Sequence, residues 1–333
     1  MYNALTILIP LKDRHKLTDR LLSYFSNIKF PYKIILADGS KTKFNSSNYS
    51  KLRLKYVYYG YDATISKYIK KMSEASKLID TPLTMICDAD DLISLNGIMK
   101  GVKFLADNTE YSAYCGAFIN WANAKNMYHE PSLINSNIFE RLNMASTRRN
   151  SRWNDIIISD VTKSMFNICE QAQTNDLQCL ITLNVLWPLM FGNAFKCQDI
   201  PFYYHMPGPS IVQGTNTYHK FNKWYHAKSF SDSVAIIVSA MSNAIYHQVG
   251  SKQLNDIRNI VLNKLVTSFL NKNNINNKDK INNCIIDVQK KSLKYDAITS
   301  NLINIKRPSI VLDNVSIPNF SVYEDMNFIK HKI

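Results

Sequence analysis

The stretch Thr84-Met85-Ile86-Cys87-Asp88-Ala89-Asp90-Asp91-Leu92 most restricts what this chain can become, because a short apolar run ends there in three carboxylates within four positions. An apolar run of this length, bounded by a polar break, fits a buried central strand. As a strand it delivers the carboxylates at its C-terminal end, where open α/β sheets bind their ligands. Side chains alternate along an extended chain, so Asp88 and Asp90 share one side and Asp91 faces the other. Two hard oxygen ligands placed in this way suit Mg²⁺ or Mn²⁺, with the remaining coordination left to water and a phosphate-bearing substrate. D-x-D is a short and common pattern, however. The plain alternative is that Asp90 or Asp91 N-caps a helix over residues 92–105.

Length and composition bound what those carboxylates belong to. At 333 residues the chain exceeds one typical domain, and 46% apolar with 20% charged residues makes it globular. The six cysteines are scattered with no C-x-x-C pair, which favours reduced thiols packed as small core groups in a cytoplasmic protein. Met1-Tyr2-Asn3-Ala4 lacks the basic and long apolar regions of a signal peptide. The most membrane-like stretch, residues 181–195, is short and interrupted by Asn184, Pro188, Gly192 and Asn193, so it is not expected to span a bilayer. A formal charge of +14 favours an anionic partner. The basic clusters are short (Lys67, Lys70, Lys71; Arg148, Arg149, Arg152), and no zinc-finger, helix-turn-helix or RNP pattern accompanies them. A phosphorylated substrate or an anionic membrane face is therefore favoured over nucleic acid.

The first ninety residues alternate strand and helix signals. Residues 6–11 form an apolar run broken by Lys12-Asp13-Arg14-His15, after which Leu17, Leu21, Leu22 and Phe25 recur at helical spacing. Residues 33–37 give a second strand that ends in Asp38-Gly39-Ser40, and residues 54–59 a third, closed by Gly60. Ile65, Tyr68, Ile69, Met72, Ala75 and Ile79 then fit a second amphipathic helix before the carboxylate strand. This alternation predicts a mostly parallel, doubly wound sheet with right-handed crossovers. Asp13, Arg14, Asp38 and the Asp88–Asp91 group are expected to gather along one edge, which is where a nucleotide would sit.

Ile7-Leu8-Ile9-Pro10-Leu11-Lys12-Asp13-Arg14, then Ile34-Ile35-Leu36-Ala37-Asp38-Gly39-Ser40, then Ile86-Cys87-Asp88-Ala89-Asp90-Asp91 resemble the ordered motif series of GT-A glycosyltransferases of the family 2 kind. The resemblance covers roughly residues 5–105. It implies that Pro10, Lys12, Arg14, Asp38, Ser40, Lys67 and Asp88 contact a nucleotide-sugar donor. Asp88 and Asp90 would bind a divalent cation, Mn²⁺ or Mg²⁺, that bridges the donor phosphates. Where the family usually has two acids in the second motif, this chain has Ala37-Asp38, so a base contact from the first acid is missing. The later segments Tyr111-Ser112-Ala113-Tyr114-Cys115-Gly116-Ala117 and Asn175-Asp176-Leu177 resemble GT-A-like transferases of bacterial surface-polysaccharide clusters.

An inverting transferase needs a general base within hydrogen-bond reach of the acceptor hydroxyl. Asp176, at the start of an apolar helical run, is the first candidate; Asp155, before Ile156-Ile157-Ile158, is the next, with Asp160 after that run. A plain N-cap explains Asp176 equally well. Arg141, Arg148, Arg149 and Arg152 read as a Ser/Asn-rich loop, with Arg149 assigned to the donor. Residues 201–210 are aromatic and turn-rich, and Tyr204 and His205 are the acceptor candidates.

From residue 221 onward three apolar helical patterns follow, near residues 234–245, 254–269 and 281–293, and then a tail over residues 308–323 that reads as extended. The expected organisation is an α/β, GT-A-like domain over residues 1–220, with a donor half to residue 110 and an acceptor half from 111. A mainly helical region over residues 221–333 braces it, oligomerises, or brings it to the inner face of the cytoplasmic membrane. The expected activity is transfer of a sugar from a nucleotide-activated donor to a glycan or lipid-linked acceptor, in capsule or lipopolysaccharide synthesis. The competing readings are a nucleotidyltransferase, which usually carries an N-terminal Gly-rich phosphate loop that this chain lacks, and an inactive glycan-binding scaffold.

Overall fold

The computed structural model describes residues 2–126, 131–146, 153–206, 229–249, 254–272, 278–301, 305, 307–312, 317 and 321–333. Its strands are β1 (Leu5–Leu11), β2 (Lys33–Asp38), β3 (Leu54–Tyr58), β4 (Leu83–Ile86), β5 (Leu92–Ile93), β6 (Tyr111–Asn120), β7 (Lys125–Asn126), β8 (Ile156–Ile158) and β9 (Asn193–His205). The helices of the sheet region are α1 (His15–Asn27), α2 (Ile65–Ser76), α3 (Leu95–Asp107), α4 (Ile138–Ser146), α5 (Ser159–Gln171) and α6 (Leu177–Leu186). Beyond them lie α7 (Phe230–Val249), α8 (Leu254–Lys272), α9 (Lys278–Ser292), α10 (Asp296–Ser300) and α11 (Val322–Lys330).

β1, β2 and β4 are near-continuous apolar runs because both of their faces are covered. Along β1, Ile7 and Ile9 enter one apolar cluster and Leu8 enters the other. On the first side the sheet packs against α1, through Leu21, Leu22 and Phe25, and against α3, through Ile98, Val102 and Leu105. On the second side it meets α2 and α5, and the same cluster runs on through α6, α7 and α8. The helices after residue 229 thus share a core with the sheet. The boundary expected between residues 220 and 221 lies outside the described residues. α7 is buried along most of its length, from Phe230 to Ile245, which makes it a central helix of that region. No described helix is long and apolar enough to cross a membrane, and all six cysteines are free thiols.

Strand order is β3-β2-β1-β4-β8-β6-β9-β5, with β7 paired to β6. The first four strands are parallel, β8 runs antiparallel between β4 and β6, and β9 lies parallel to β6. After β1 the chain moves outward to β2 and β3, and then returns through α2 to β4 on the other side of β1. The direction of winding therefore reverses between β1 and β4. A reversal of this kind opens a crevice at the C-terminal ends of the two strands.

Two expectations are corrected here. Residues 201–205 are the end of the long strand β9 and not a loop: β9 follows β6 with register irregularities, and Pro201 pairs with Ala117 beside one of them, a site that tolerates its missing N–H. The described residues 308–312, 317 and 321 of the tail carry no helix, and α11 follows them, capped by Ser321, whose side chain accepts from Glu324 N while the Glu324 carboxylate accepts from Ser321 N. Met326 and Ile329 of α11 enter the first-side core, and Arg307 anchors the preceding segment to the carbonyls of Leu105 and Asn108 at 2.8 and 3.1 Å. The second correction concerns α3, which begins at Leu95. Its N-cap is Ser94, accepting from Gly97 N at 3.0 Å, so neither Asp90 nor Asp91 caps it.

α3 lies so close to β9 that a Cβ on Gly97 would meet the Pro201 carbonyl oxygen at 2.0 Å. A backbone carbonyl held in a sheet cannot step aside, so Gly97→Val is expected to destabilise the protein by roughly 1–3 kcal/mol. That loss would lower the melting temperature by several degrees; an unchanged midpoint would contradict the packing of α3 on β9.

Candidate functional site

The crevice between β1 and β4 gathers side chains from four turns. The turn after β1 is set by Asp13, a non-glycine residue at φ 54. Its N–H donates to Ser40 Oγ at 2.8 Å, and its Oδ1 accepts from Lys41 N at 2.9 Å. These bonds tie the first turn to the second and aim Lys12 and Arg14 along the edge.

Asp38 and Ser40, expected to touch a donor, are fully buried. Asp38 Oδ1 accepts from Ser40 N at 2.9 Å, while Oδ2 accepts from Phe44 N at 3.0 Å and from the Tyr56 hydroxyl at 2.8 Å. Both oxygens shape the turn after β2. Asp38 and Ser40 therefore hold the backbone of that turn. Pro10 pairs with Ala37 inside the sheet. Lys67 stands exposed in the first turn of α2. Arg149 lies outside the described residues, as do Arg148 and Arg152. Arg141 is not a loop residue: it is buried in α4, where Nε donates to the Leu189 carbonyl at 2.9 Å.

The turn after β3 contributes a group that the sequence did not single out. Asp62 is buried, 2.6 Å from Lys71 Nζ and 3.3 Å from Lys12 Nζ. Lys12 also donates to the Asp62 carbonyl at 2.7 Å, and Lys71 to the Leu11 carbonyl at 3.1 Å. Burial pushes the Lys71 ammonium down, and the Asp62 carboxylate opposes that shift. A Cβ on Gly39 would fall 2.4 Å from Asp62 Oδ2, so only glycine leaves room for this pair. The available signal was a lysine beside the buried stripe Ile69, Met72 and Ala75 of α2.

After β4 the three carboxylates take three different partners. Asp88 Oδ1 accepts from Trp153 Nε1 at 3.3 Å. Burial, then the charges of Asp91 and Asp90, push the Asp88 carboxyl up to about 7. Asp90 is ion-paired with Arg14, and its carbonyl accepts from Arg20 at 2.5 Å. Asp91 is buried, accepting from the Tyr203 hydroxyl at 2.7 Å and Met206 N at 2.9 Å, with His205 Nδ1 3.3 Å away. Asp88 and Asp90 thus remain at the crevice while Asp91 secures the end of β9. Among the described residues no group of three His, Cys, Asp or Glu side chains is placed to hold a metal.

The remaining candidates divide. Met85 pairs with Ile156, which sets Asp155, buried, beside the end of β4. Asp160 sits in the first turn of α5 and pairs with Lys163 at 3.1 Å. Asp176 serves as a cap and a tie in this structure. Its Oδ1 accepts from Gln178 N at 2.8 Å, capping α6, and its Oδ2 accepts from the Ser229 and Ser233 hydroxyls at 2.6 and 2.8 Å, tying α6 to α7. Tyr204, an acceptor candidate, lies in the core. It is fully buried, and its hydroxyl donates to Asp325 Oδ2 at 2.6 Å, joining β9 to α11. His205 is the half-exposed member of that strand end.

No protein-family model matches the sequence, and no curated protein matches it. Similarity appears in three dimensions. The crystal structure of residues 1–349 of S. aureus TarS aligns with a TM-score of 0.52 at 9% identity, covering 90% of this chain and 90% of that one. The same protein in complex with UDP-GlcNAc aligns with a TM-score of 0.51 at 12% identity, again covering 90% of each chain. At these identities the likeness is one of fold, a mixed α/β fold with a mostly parallel sheet.

The Asp88 environment has a measurable consequence. Its carboxyl rises from the ordinary 3.8 to about 7 in the folded, ligand-free protein, so that state binds more protons than the unfolded chain between those values. Stability is then expected to fall as pH rises through that window. Asp88→Asn keeps an acceptor for Trp153 and should flatten the fall, as read by denaturant midpoints from pH 4 to pH 7.

Proposed function

We propose that this chain is a nucleotide-sugar-dependent glycosyltransferase whose donor lies in the crevice between β1 and β4. The observation that carries this reading is the meeting of Arg14, from the turn after β1, with Asp90, from the turn after β4, at the point where the sheet reverses its winding. That crevice is the standard ligand position of an open α/β sheet. The fold likeness to TarS, itself solved with UDP-GlcNAc, supports the class of donor.

The residues fit a divalent cation of the Mg²⁺ or Mn²⁺ type. The donor set at the crevice is carboxylate oxygen alone, and the lifted Asp88 carboxyl marks negative charge there that Arg14 does not fully offset. Asp88 and Asp90 would hold the cation, with water and donor phosphate completing its shell. When bound, such an ion neutralises charge building on the leaving diphosphate. The protein's own cations act alongside it: Arg14 is placed to turn from Asp90 toward a phosphate oxygen, and Lys12, braced by Asp62, flanks the same edge. Asp38 and Ser40 keep the turn after β2 in the shape that faces the nucleoside. The +14 charge of the whole chain favours an anionic donor and an acceptor at an anionic surface. We place the reaction in the building of a bacterial surface glycan, with a glycan or lipid-linked acceptor at the cytoplasmic side of the membrane.

Thermal shifts with UDP, GDP, CDP, CMP and dTDP, each with and without Mn²⁺, test this reading. A nucleotide at a hundred times its dissociation constant should stabilise by about 2.7 kcal/mol. The expected result is a rise of several degrees for one base, dependent on Mn²⁺ and lost in Asp90→Ala. No shift with any nucleotide would overturn the donor site.

A further inference from the structure

On the first side of the sheet, α3, β6 and β9 border a cavity of about 260 Å³ with an aromatic wall and a charged mouth. We propose that it binds a single-ring aromatic anion that carries a neutral oxygen acceptor opposite its charge, a ligand of the hydroxybenzoate type. The inference stands apart from the transferase reading. Its wall residues Lys100, Lys103 and Phe104 lie roughly 10–15 Å along α3 from the Ser94 cap that follows the carboxylate turn.

Three features of the cavity select that chemistry. First, its wall is a stack of rings: Phe104 and Phe195 lie 4.5 Å apart at 19°, and Tyr114 adds a third ring 5.9 Å from Phe195 at 27°. A flat ring continues such a stack, and a volume just under that of drug-sized sites limits the ligand to about one ring. Second, Tyr114 is 2% exposed, and among the described residues its hydroxyl has no hydrogen-bond partner. Buried polar groups are ordinarily paired. The Cys197 thiol, which also lines the cavity, lies close to this hydroxyl, but sulfur accepts only weakly. Burial, followed by the charges of the Cys197 and Cys115 thiols, pushes the phenol above its ordinary range, so it stays a donor at any working pH. It calls for an acceptor oxygen, and for an uncharged one, because an ion buried that deeply would lose its hydration.

Third, the mouth suits the charged end. Lys100 and Lys103 stand there, and Lys103 and Asp107 are half-exposed and 2.8 Å apart. An ammonium group carries three donors, so each lysine can bind a ligand carboxylate without giving up its present partner. A ring seated on Phe104 and Phe195 thus has a donor at its inner end and cations at its outer end.

Cys197 reports occupancy, since it and Cys284 are the cysteines that are not buried. The test follows iodoacetamide modification of both thiols in the full chain by peptide mass spectrometry, with 4-hydroxybenzoate, benzoate or 4-hydroxybenzyl alcohol at up to millimolar concentration. The expected result is saturable protection of Cys197 by 4-hydroxybenzoate, with Cys284 unchanged. Half-protection by benzoate should need roughly fivefold more ligand, for one lost hydrogen bond, and by the alcohol at least about tenfold more, for the lost charge-assisted contact. Tyr114→Phe removes the unpaired hydroxyl and keeps the ring, so it should erase the difference between the two acids and leave the melting temperature unchanged or higher. Lys103→Gln should weaken both acids and leave the alcohol as it was. No protection of Cys197 by any of the three overturns the proposal, as does equal slowing at Cys284, which marks an effect outside the cavity. A preference for 4-hydroxybenzoate over benzoate that survives Tyr114→Phe, or equal potency of acid and alcohol, also overturns it.

Discussion

Three carboxylates in one tight turn repel each other by amounts on the order of a few kcal/mol per close pair, and the C-terminal edge of the sheet is arranged around relieving that repulsion. Asp91 is drawn away by Tyr203, the Met206 amide and His205, and in answering it these groups fix where β9 ends. Asp90 is answered by Arg14, which links the end of β4 to the end of β1. Asp88 accepts from the neutral Trp153, and burial with the charges of Asp91 and Asp90 lifts its carboxyl. That asymmetry makes the place receptive to a cation and, with it, to phosphate.

The rest of the fold holds this edge rigid. Asp38 and Ser40 brace the turn after β2, and the buried Asp62–Lys71 pair braces the turns after β1 and β3 through Leu11 and Lys12. On the far side, Tyr204 and Asp325 fasten β9 to the C-terminal helix, so the last described helix supports the same strand whose end answers Asp91. The helices after residue 229 extend one face of the sheet core, and the Ser229 and Ser233 bonds to Asp176 seal that junction. Most charged groups at the edge thus act on other protein groups, and few remain to meet a ligand.

What could be read in the sequence was what depends on local pattern. The apolar runs of β1, β2 and β4 and the stripes of α1 and α2 follow from burial on two faces or one, so the parallel half of the sheet and its carboxylate edge were legible. β9 was not, because Phe202-Tyr203-Tyr204 next to Pro201 has no clean alternation; its extended state comes from pairing with β6 across irregular register. Asp62 with Lys71, and Asp176 with Ser229 and Ser233, are contacts between distant segments, and no local spacing announces them. Where a carboxylate is held by partners far along the chain, sequence can name the residue and still miss its job.

The central claim is that the donor occupies the crevice between β1 and β4. The most direct measurement is amide hydrogen exchange read by mass spectrometry, with UDP-GlcNAc and Mn²⁺ and without them. The account expects slowed exchange in peptides covering residues 10–14, 38–44 and 86–91, with no comparable change in α8 and α9. Protection confined to other surfaces, such as the cleft between α2 and α5 lined by Ser66, Lys70 and Gln173, would contradict it.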